Sequence, residues 1–182
     1  MNFFTSSKPL LTPEECVKAI GLGETAKPER ALLARGPDSN YRNSRVSWIP
    51  TDTDAMWLYQ KLGRMAGEAN KRVGWNFDLS GMAEEIQYSD YGPDNEHYDW
   101  HVDLGPKKPM ANRKLSIVVQ LTDPADYKGG KLELKFERES VFGNTEQGTV
   151  TLFPSWCLHR VTPVTRGHRA SLALWVSGKA FR

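Results

Sequence analysis

The chain has 182 residues, 39% of them hydrophobic and 25% charged, with a formal net charge of +2. That length suits one domain with a substantial core, and the composition is that of an ordinary soluble protein. So small a charge does not by itself imply a polyanion partner, although a local basic patch could still bind one, and a nucleic-acid partner is the less favoured expectation. The two cysteines, Cys16 and Cys157, form no CxxC pair. A disulfide framework or a cysteine-rich zinc site is thereby excluded, and a reducing compartment is predicted. The opening MNFFTSSKPLL lacks the charged start of a signal peptide, and no apolar run reaches membrane-spanning length. A cytoplasmic location without a membrane partner is expected.

No repeat or Pro/Gly/Ser-rich linker divides residues 1–182, so one domain is predicted, with helices mainly over 12–74 and a β core over about 84–178. Thr12 as N-cap, Pro13 at the first helical position and Glu14–Glu15 in the first turn announce a helix. A strand is predicted over Arg45–Ile49, ended by Pro50. A longer helix runs from about Asp54 to about Arg72: Leu58, Leu62, Met65 and Ala69 recur at helical spacing, and Gly74 is a stop.

Beyond Gly74 the period falls to two. Strands are predicted over Lys114–Leu121, Lys131–Glu137, Gly148–Phe153 and Arg169–Val176, with Gly129–Gly130 as a turn. In Lys131–Glu137, Leu132, Leu134 and Phe136 would face inward. Helices followed by many short strands predict an all-β core with packed N-terminal helices, a sandwich or barrel carrying helices on one outer face.

The segment Tyr91 to Asp103 carries the chemistry. On a strand, residues i and i+2 share a face, so His101 and Asp103 can present an imidazole and a carboxylate to one point. An HxD pair alone is a weak signal. His159, beyond a strand and Pro154, is the best candidate for a third ligand. Two histidines and one carboxylate on one side of a metal leave positions open, an arrangement suited to iron(II). The stretch HRVTPVTRGHR, residues 159–169, returns through a turn to a last strand. There Arg169, Ser171, Ala173 and Trp175 alternate onto one face, and Leu172, Leu174 and Val176 onto the other. A guanidinium deep in such a core needs an anion, and a dicarboxylate cosubstrate would supply one.

HxD, the distal HRVTPVTxGxR and the strand ending in Trp together resemble the 2-oxoglutarate- and iron(II)-dependent oxygenases, nearest to their prolyl 4-hydroxylase-like branch. The likeness is strong from Tyr88 to Val176 and weaker through YRNSRVSWI. It implies a double-stranded β-helix (jelly roll) and a hydroxylase using Fe(II), 2-oxoglutarate and O₂, with ascorbate as an auxiliary reductant. It implies His101, Asp103 and His159 as metal ligands and Arg169 as the partner of the distal carboxylate of 2-oxoglutarate. Tyr91 and Tyr98 correspond to pocket tyrosines, Leu132, Val161 and Trp175 to an apolar wall, and Arg113 to a substrate-side arginine. Gln120 stands where hypoxia-sensor members carry another cosubstrate-binding tyrosine. Strict alternation puts Tyr98 on the face opposite His101, so its pocket role requires a bulge before the motif.

A peptidyl proline or related protein residue is the substrate the resemblance favours. The alternatives are the same chemistry on a free amino acid, small metabolite or nucleobase, a non-catalytic metal-binding jelly roll, and zinc hydrolysis. Both of the last two leave Arg169 unexplained. Among neighbouring residues, His97 is read as solvated or substrate-facing, His168 and Arg166 as surface groups, Cys157 as a packed thiol and Arg160 as paired to a nearby carboxylate. Lys107, Lys108, Arg113 and Lys114 are read as a solvated loop or a mobile lid. Trp57 and Trp75 are assigned to the core, and Trp100 to packing away from the metal.

Overall fold

The computed structural model describes residues 3–31, 40–52, 54–137 and 139–179. In chain order its elements are β1 (Phe4–Thr5), α1 (Pro13–Thr25), β2 (Glu29–Arg30), β3 (Arg42–Asn43), β4 (Arg45–Ile49), α2 (Met56–Arg72), β5 (Leu79–Gly81), β6 (Ile86–Tyr91) and β7 (Glu96–His101). A 3-10 turn at Met110–Asn112 leads into β8 (Arg113–Gln120). Then come β9 (Lys128–Gly129), β10 (Leu132–Phe136), β11 (Glu139–Phe142), β12 (Val150–Pro154), β13 (Leu158–Arg166) and β14 (Arg169–Gly178).

The helix ends follow local chemistry. Thr12 Oγ1 accepts from the Glu15 amide and Glu15 Oε2 accepts from the Thr12 amide, a reciprocal capping box. α2 starts two residues later than expected: its N-cap is Ala55, without a side-chain cap, and the turn before it is held by Asp52, whose Oδ1 accepts from the amides of Asp54 and Ala55. Gly74, at φ 81°, follows the last turn. No described helix is long and apolar enough to cross a membrane.

Among the described residues the strands form two antiparallel sheets, the frame of a jelly roll. One has eight strands in the order β1-β12-β8-β14-β6-β4-β2, with β5 also on β14; the other has six, β11-β10-β13-β7-β3, with β9 also on β13. Strands from before residue 84 therefore extend both sheets, so the β core reaches beyond the expected 84–178. β14 shows how alternation organises the layers. Leu172, Leu174 and Val176 join a large apolar cluster with Leu115, Ile117, Leu152 and the helical residues Leu58, Leu62 and Ala66. Arg169, Ser171, Ala173 and Trp175 line a cavity on the opposite face. A smaller cluster gathers Leu132, Leu134, Phe153 and Cys157. In β10 burial departs from simple alternation: Glu133 is buried as the partner of Arg160, and Phe136 is only half-buried.

Candidate functional site

β13 lies beside β7 with His159 directly opposite His101, and that register brings two sequence-distant imidazoles to ring centroids 4.1 Å apart. Between the pairs His159–His101 and Val161–Tyr98, β7 has one residue more than β13. This is the bulge that the position of Tyr98 requires, and it turns the phenol ring onto the His101 imidazole, centroids 3.5 Å apart. Asp103 lies just beyond the end of β7, so strand alternation does not aim it. Its amide donates to the Ser155 carbonyl at 2.9 Å, and its own carbonyl accepts from Arg113 Nη1 at 3.0 Å.

His101, Asp103 and His159 offer ligand atoms that all lie within 4.8 Å of one another. His101 Nδ1 faces the Asp99 carbonyl at 2.7 Å and His159 Nδ1 faces the Cys157 carbonyl at 2.9 Å. Each Nδ1 is thus the protonated nitrogen, and each Nε2 turns a lone pair toward the carboxylate. His101 Nε2 is 3.8 Å from Asp103 Oδ1 and His159 Nε2 is 3.5 Å from Asp103 Oδ2. These gaps exceed a hydrogen bond and are slightly wider than the roughly 3.0–3.4 Å between neighbouring donors about 2.1 Å from a shared metal. Burial, aided by His159 and opposed by Asp103, pushes the His101 pKa down to about 3. Burial alone would raise that of Asp103; the two imidazoles and the Ser116 hydroxyl outweigh it and hold the carboxyl below its usual range. Two Nε2 atoms and a carboxylate converging on one gap fit a divalent cation, and the open side suits iron(II).

Ser116 Oγ donates to Asp103 Oδ2 at 2.6 Å and lies 3.1 Å from Ser155 Oγ. Cys157 is buried with its thiol pushed up to about 11 by desolvation, as befits packing.

The cavity has a volume of about 180 Å³ and is lined by the triad together with Tyr91, Tyr98, Arg113, Leu132, Val161, Arg169 and Trp175. Of the expected pocket residues, Gln120 alone does not line it. Gln120 braces Arg169 instead: its Oε1 accepts from Arg169 Nε at 3.1 Å, and its amide donates to the Thr122 carbonyl and the Tyr127 hydroxyl. Arg169 is 2% exposed, with Nη1 donating to Ser171 Oγ at 3.2 Å, and no carboxylate pairs with it among the described residues. Burial raises the pKa of the Tyr127 phenol, and the Arg169 charge partly offsets this.

Arg113 is neither a solvated loop residue nor part of a lid. It opens β8, is buried, pairs with Glu84 through both Nε and Nη2, and lies 3.7 Å over the Trp175 ring. Burial pushes the Tyr98 phenol up to about 12. Outside the pocket, Arg160 pairs with Glu133, His168 with Asp90, and Trp100 lies beneath Arg160. His97 holds its two ring nitrogens against the carbonyls of Asn95 and Asn40. Sequence reasoning missed Glu84, Ser116, Ser155, Tyr127 and Arg42. Ser116 carried a usable signal, a small polar residue on an apolar strand; Glu84 carried none.

Fold and donor set together define a non-haem iron oxygenase. The sequence model of the 2OG-Fe(II) oxygenase superfamily matches residues 86–177. A PKHD-type hydroxylase of Azoarcus is 30% identical over 174 residues, covering 92% of this chain and 74% of that protein. One from Teredinibacter turnerae is 37% identical over 93 residues, 49% of this chain and 39% of that protein, so the alignment there spans well under half of the relative. The chain belongs to the 2OG-Fe(II) oxygenase superfamily, whose cofactors are iron(II) and 2-oxoglutarate. Its fold is similar to that of a Trichoplax adhaerens prolyl hydroxylase in complex with a hypoxia inducible factor peptide (TM-score 0.79, 21% identity, 96% of this chain and 83% of that one). It is also similar to a Pseudomonas putida prolyl-4-hydroxylase (TM-score 0.75, 18% identity, 98% and 93%).

Proposed function

We propose that the chain is one catalytic domain, braced by its N-terminal helices on one outer face, that hydroxylates a prolyl or related residue of a peptide or protein in the cytoplasm. The observation that carries this reading is one cavity holding both the converging triad of His101, Asp103 and His159 and the buried Arg169, which has no carboxylate partner among the described residues. Bound iron(II) and 2-oxoglutarate supply the oxidation: O₂ is consumed, 2-oxoglutarate gives succinate and CO₂, and one oxygen atom enters a substrate C–H bond. His101, Asp103 and His159 hold the metal. Arg169 grips the distal carboxylate of 2-oxoglutarate through charge-assisted hydrogen bonds, kept in place by Gln120 and Ser171. Tyr91, Leu132, Val161 and Trp175 wall the cosubstrate and exclude water. Tyr98 and Arg113 stand on the substrate side, and ascorbate serves as the auxiliary reductant. The peptide held by the Trichoplax prolyl hydroxylase supports a peptide substrate, and two free cysteines support a reducing compartment.

Incubation with proline-containing peptides, iron(II), ascorbate and 2-oxoglutarate tests this. The expected product is one oxygen atom heavier by mass spectrometry and is formed with matching succinate. Turnover of a free amino acid or metabolite, with every peptide inert, would refute the peptide substrate.

A further inference from the structure

We propose that the substrate carries a carboxylate and that Arg42 binds it, an inference that rests on the hydroxylase reading above and names its substrate chemistry. Arg42 opens β3, whose register sets it opposite Tyr98 on β7. Its guanidinium lies 4.3 Å over the Tyr98 ring, which itself stacks on His101. A positive charge therefore stands in the cavity wall, one aromatic ring behind the triad.

Arg42 is only 9% exposed. Its Nε donates to Ser44 Oγ at 3.1 Å, yet its buried Nη2 finds no acceptor among the described residues. The described arginines that form ion pairs, Arg45, Arg113 and Arg160, answer Asp90, Glu84 and Glu133. Of the three buried arginines, only Arg113 has a carboxylate among the described residues; Arg42 and Arg169 have none. The ring of Tyr98 favours a cation above it but presents no lone pair in line with Nη2. A buried guanidinium so placed calls for an anion. The distal carboxylate of 2-oxoglutarate answers Arg169 and its keto acid end belongs at the metal, so the anion for Arg42 comes with the substrate.

The mouth of the same cavity is apolar and open: Trp48, Val102 and Met110 are 44%, 45% and 37% exposed. An apolar lip with a buried cation inside fits an apolar residue carrying a carboxylate beside it. That carboxylate has three sources: an acidic side chain next to the target residue, a peptide C-terminus, or the α-carboxylate of a free amino acid.

The test is calorimetric titration of the protein loaded with Mn(II) and 2-oxoglutarate, without oxygen. The ligands are acid and amide twins: a blocked proline peptide with Glu or Gln beside proline, the same peptide with a free or amidated C-terminus, and L-proline or its amide. In at least one pair the acid should bind about tenfold or more tightly than the amide. In Arg42→Gln that ratio should shrink to within about twofold, and in Arg42→Lys it should be partly retained. Equal behaviour of every pair in the unaltered protein, including no binding by any acid, overturns the inference, as does an acid preference that survives Arg42→Gln. If Arg42→Gln fails to fold, the ratios in the unaltered protein and in Arg42→Lys decide. Oxygen is then admitted. An acid preference without any hydroxylated peptide removes the peptidyl-proline reading and keeps this inference; hydroxylation of the neutral peptide without an acid preference does the reverse.

Discussion

Replacing Ser116 by alanine isolates one hydrogen bond behind the metal site. The Ser116 hydroxyl donates to Asp103 Oδ2 at 2.6 Å, and Ser116 is 1% exposed, so bulk water cannot take its place. A hydrogen bond to a buried carboxylate contributes about 1.5–3 kcal/mol. Without it, Asp103 loses an influence that lowers its pKa and fixes its direction, so metal binding must also re-aim the carboxylate. Outer partners of metal ligands typically change affinity by about ten- to a hundredfold, which at about 1.4 kcal/mol per tenfold is the same range. Anaerobic titration with Co(II), followed by its visible absorption, should show that loss for Ser116→Ala. Ser155→Ala removes a hydroxyl that reaches the carboxylate only through Ser116, leaves the backbone clamp on Asp103 intact, and should weaken binding about threefold at most. A Ser116→Ala protein with unchanged circular dichroism and an affinity within about twofold of the unaltered chain would refute the reasoning, and so would a Ser155→Ala protein equally impaired.

Glu84→Ala leaves Arg113 buried without its carboxylate; breaking such a pair should destabilise the chain by about 3 kcal/mol in urea unfolding, and Glu84→Ala with Arg113→Met should recover much of the loss. At Gly130, φ is +58° and an added Cβ would lie 2.6 Å from Arg169 Cδ. Gly130→Ala should therefore raise the KM for 2-oxoglutarate about tenfold while Co(II) affinity stays within about twofold. For the chelator-treated protein, His101 sits at about 3 against an ordinary 6.5. Between those values the unfolded chain binds the extra proton, so stability is full above pH 6.5 and falls as the pH drops, by at most about 1.4 kcal/mol per unit. Urea midpoints at pH 7.5 and 5 should show this decline and a shallower one in His101→Gln; equal slopes would contradict it.

Much of the centre was readable before any coordinates. The alternation of Arg169, Ser171, Ala173 and Trp175 onto one face is a property of any strand, and β14 turns that face to the cavity. The parity conflict between Tyr98 and His101 required a bulge, which the register between β7 and β13 contains. Other features had no local signal. Gln120 looked like a direct contact to the cosubstrate, but Tyr127, brought in by the turn after β8, takes its amide and leaves it bracing Arg169. Arg113 was read within a basic loop, solvated or a lid, and by resemblance as a substrate-side arginine; it lines the cavity but is buried against Glu84 and Trp175.

Residue identity, strand period and the motif resemblance pointed to His101, Asp103, His159 and Arg169 and to a β core, because the period of a strand and the donor chemistry of a side chain are local; their meeting at one cavity needed the register of β13 on β7 and the backbone clamp on Asp103. The packing of β3 against β7, which leaves Arg42 without a counterion among the described residues, and the neighbours of Glu84, Ser116 and Tyr127 were decided only in three dimensions. Strand order and register belong to the whole chain, and slipping one strand by a single residue would turn its side chains to the opposite face.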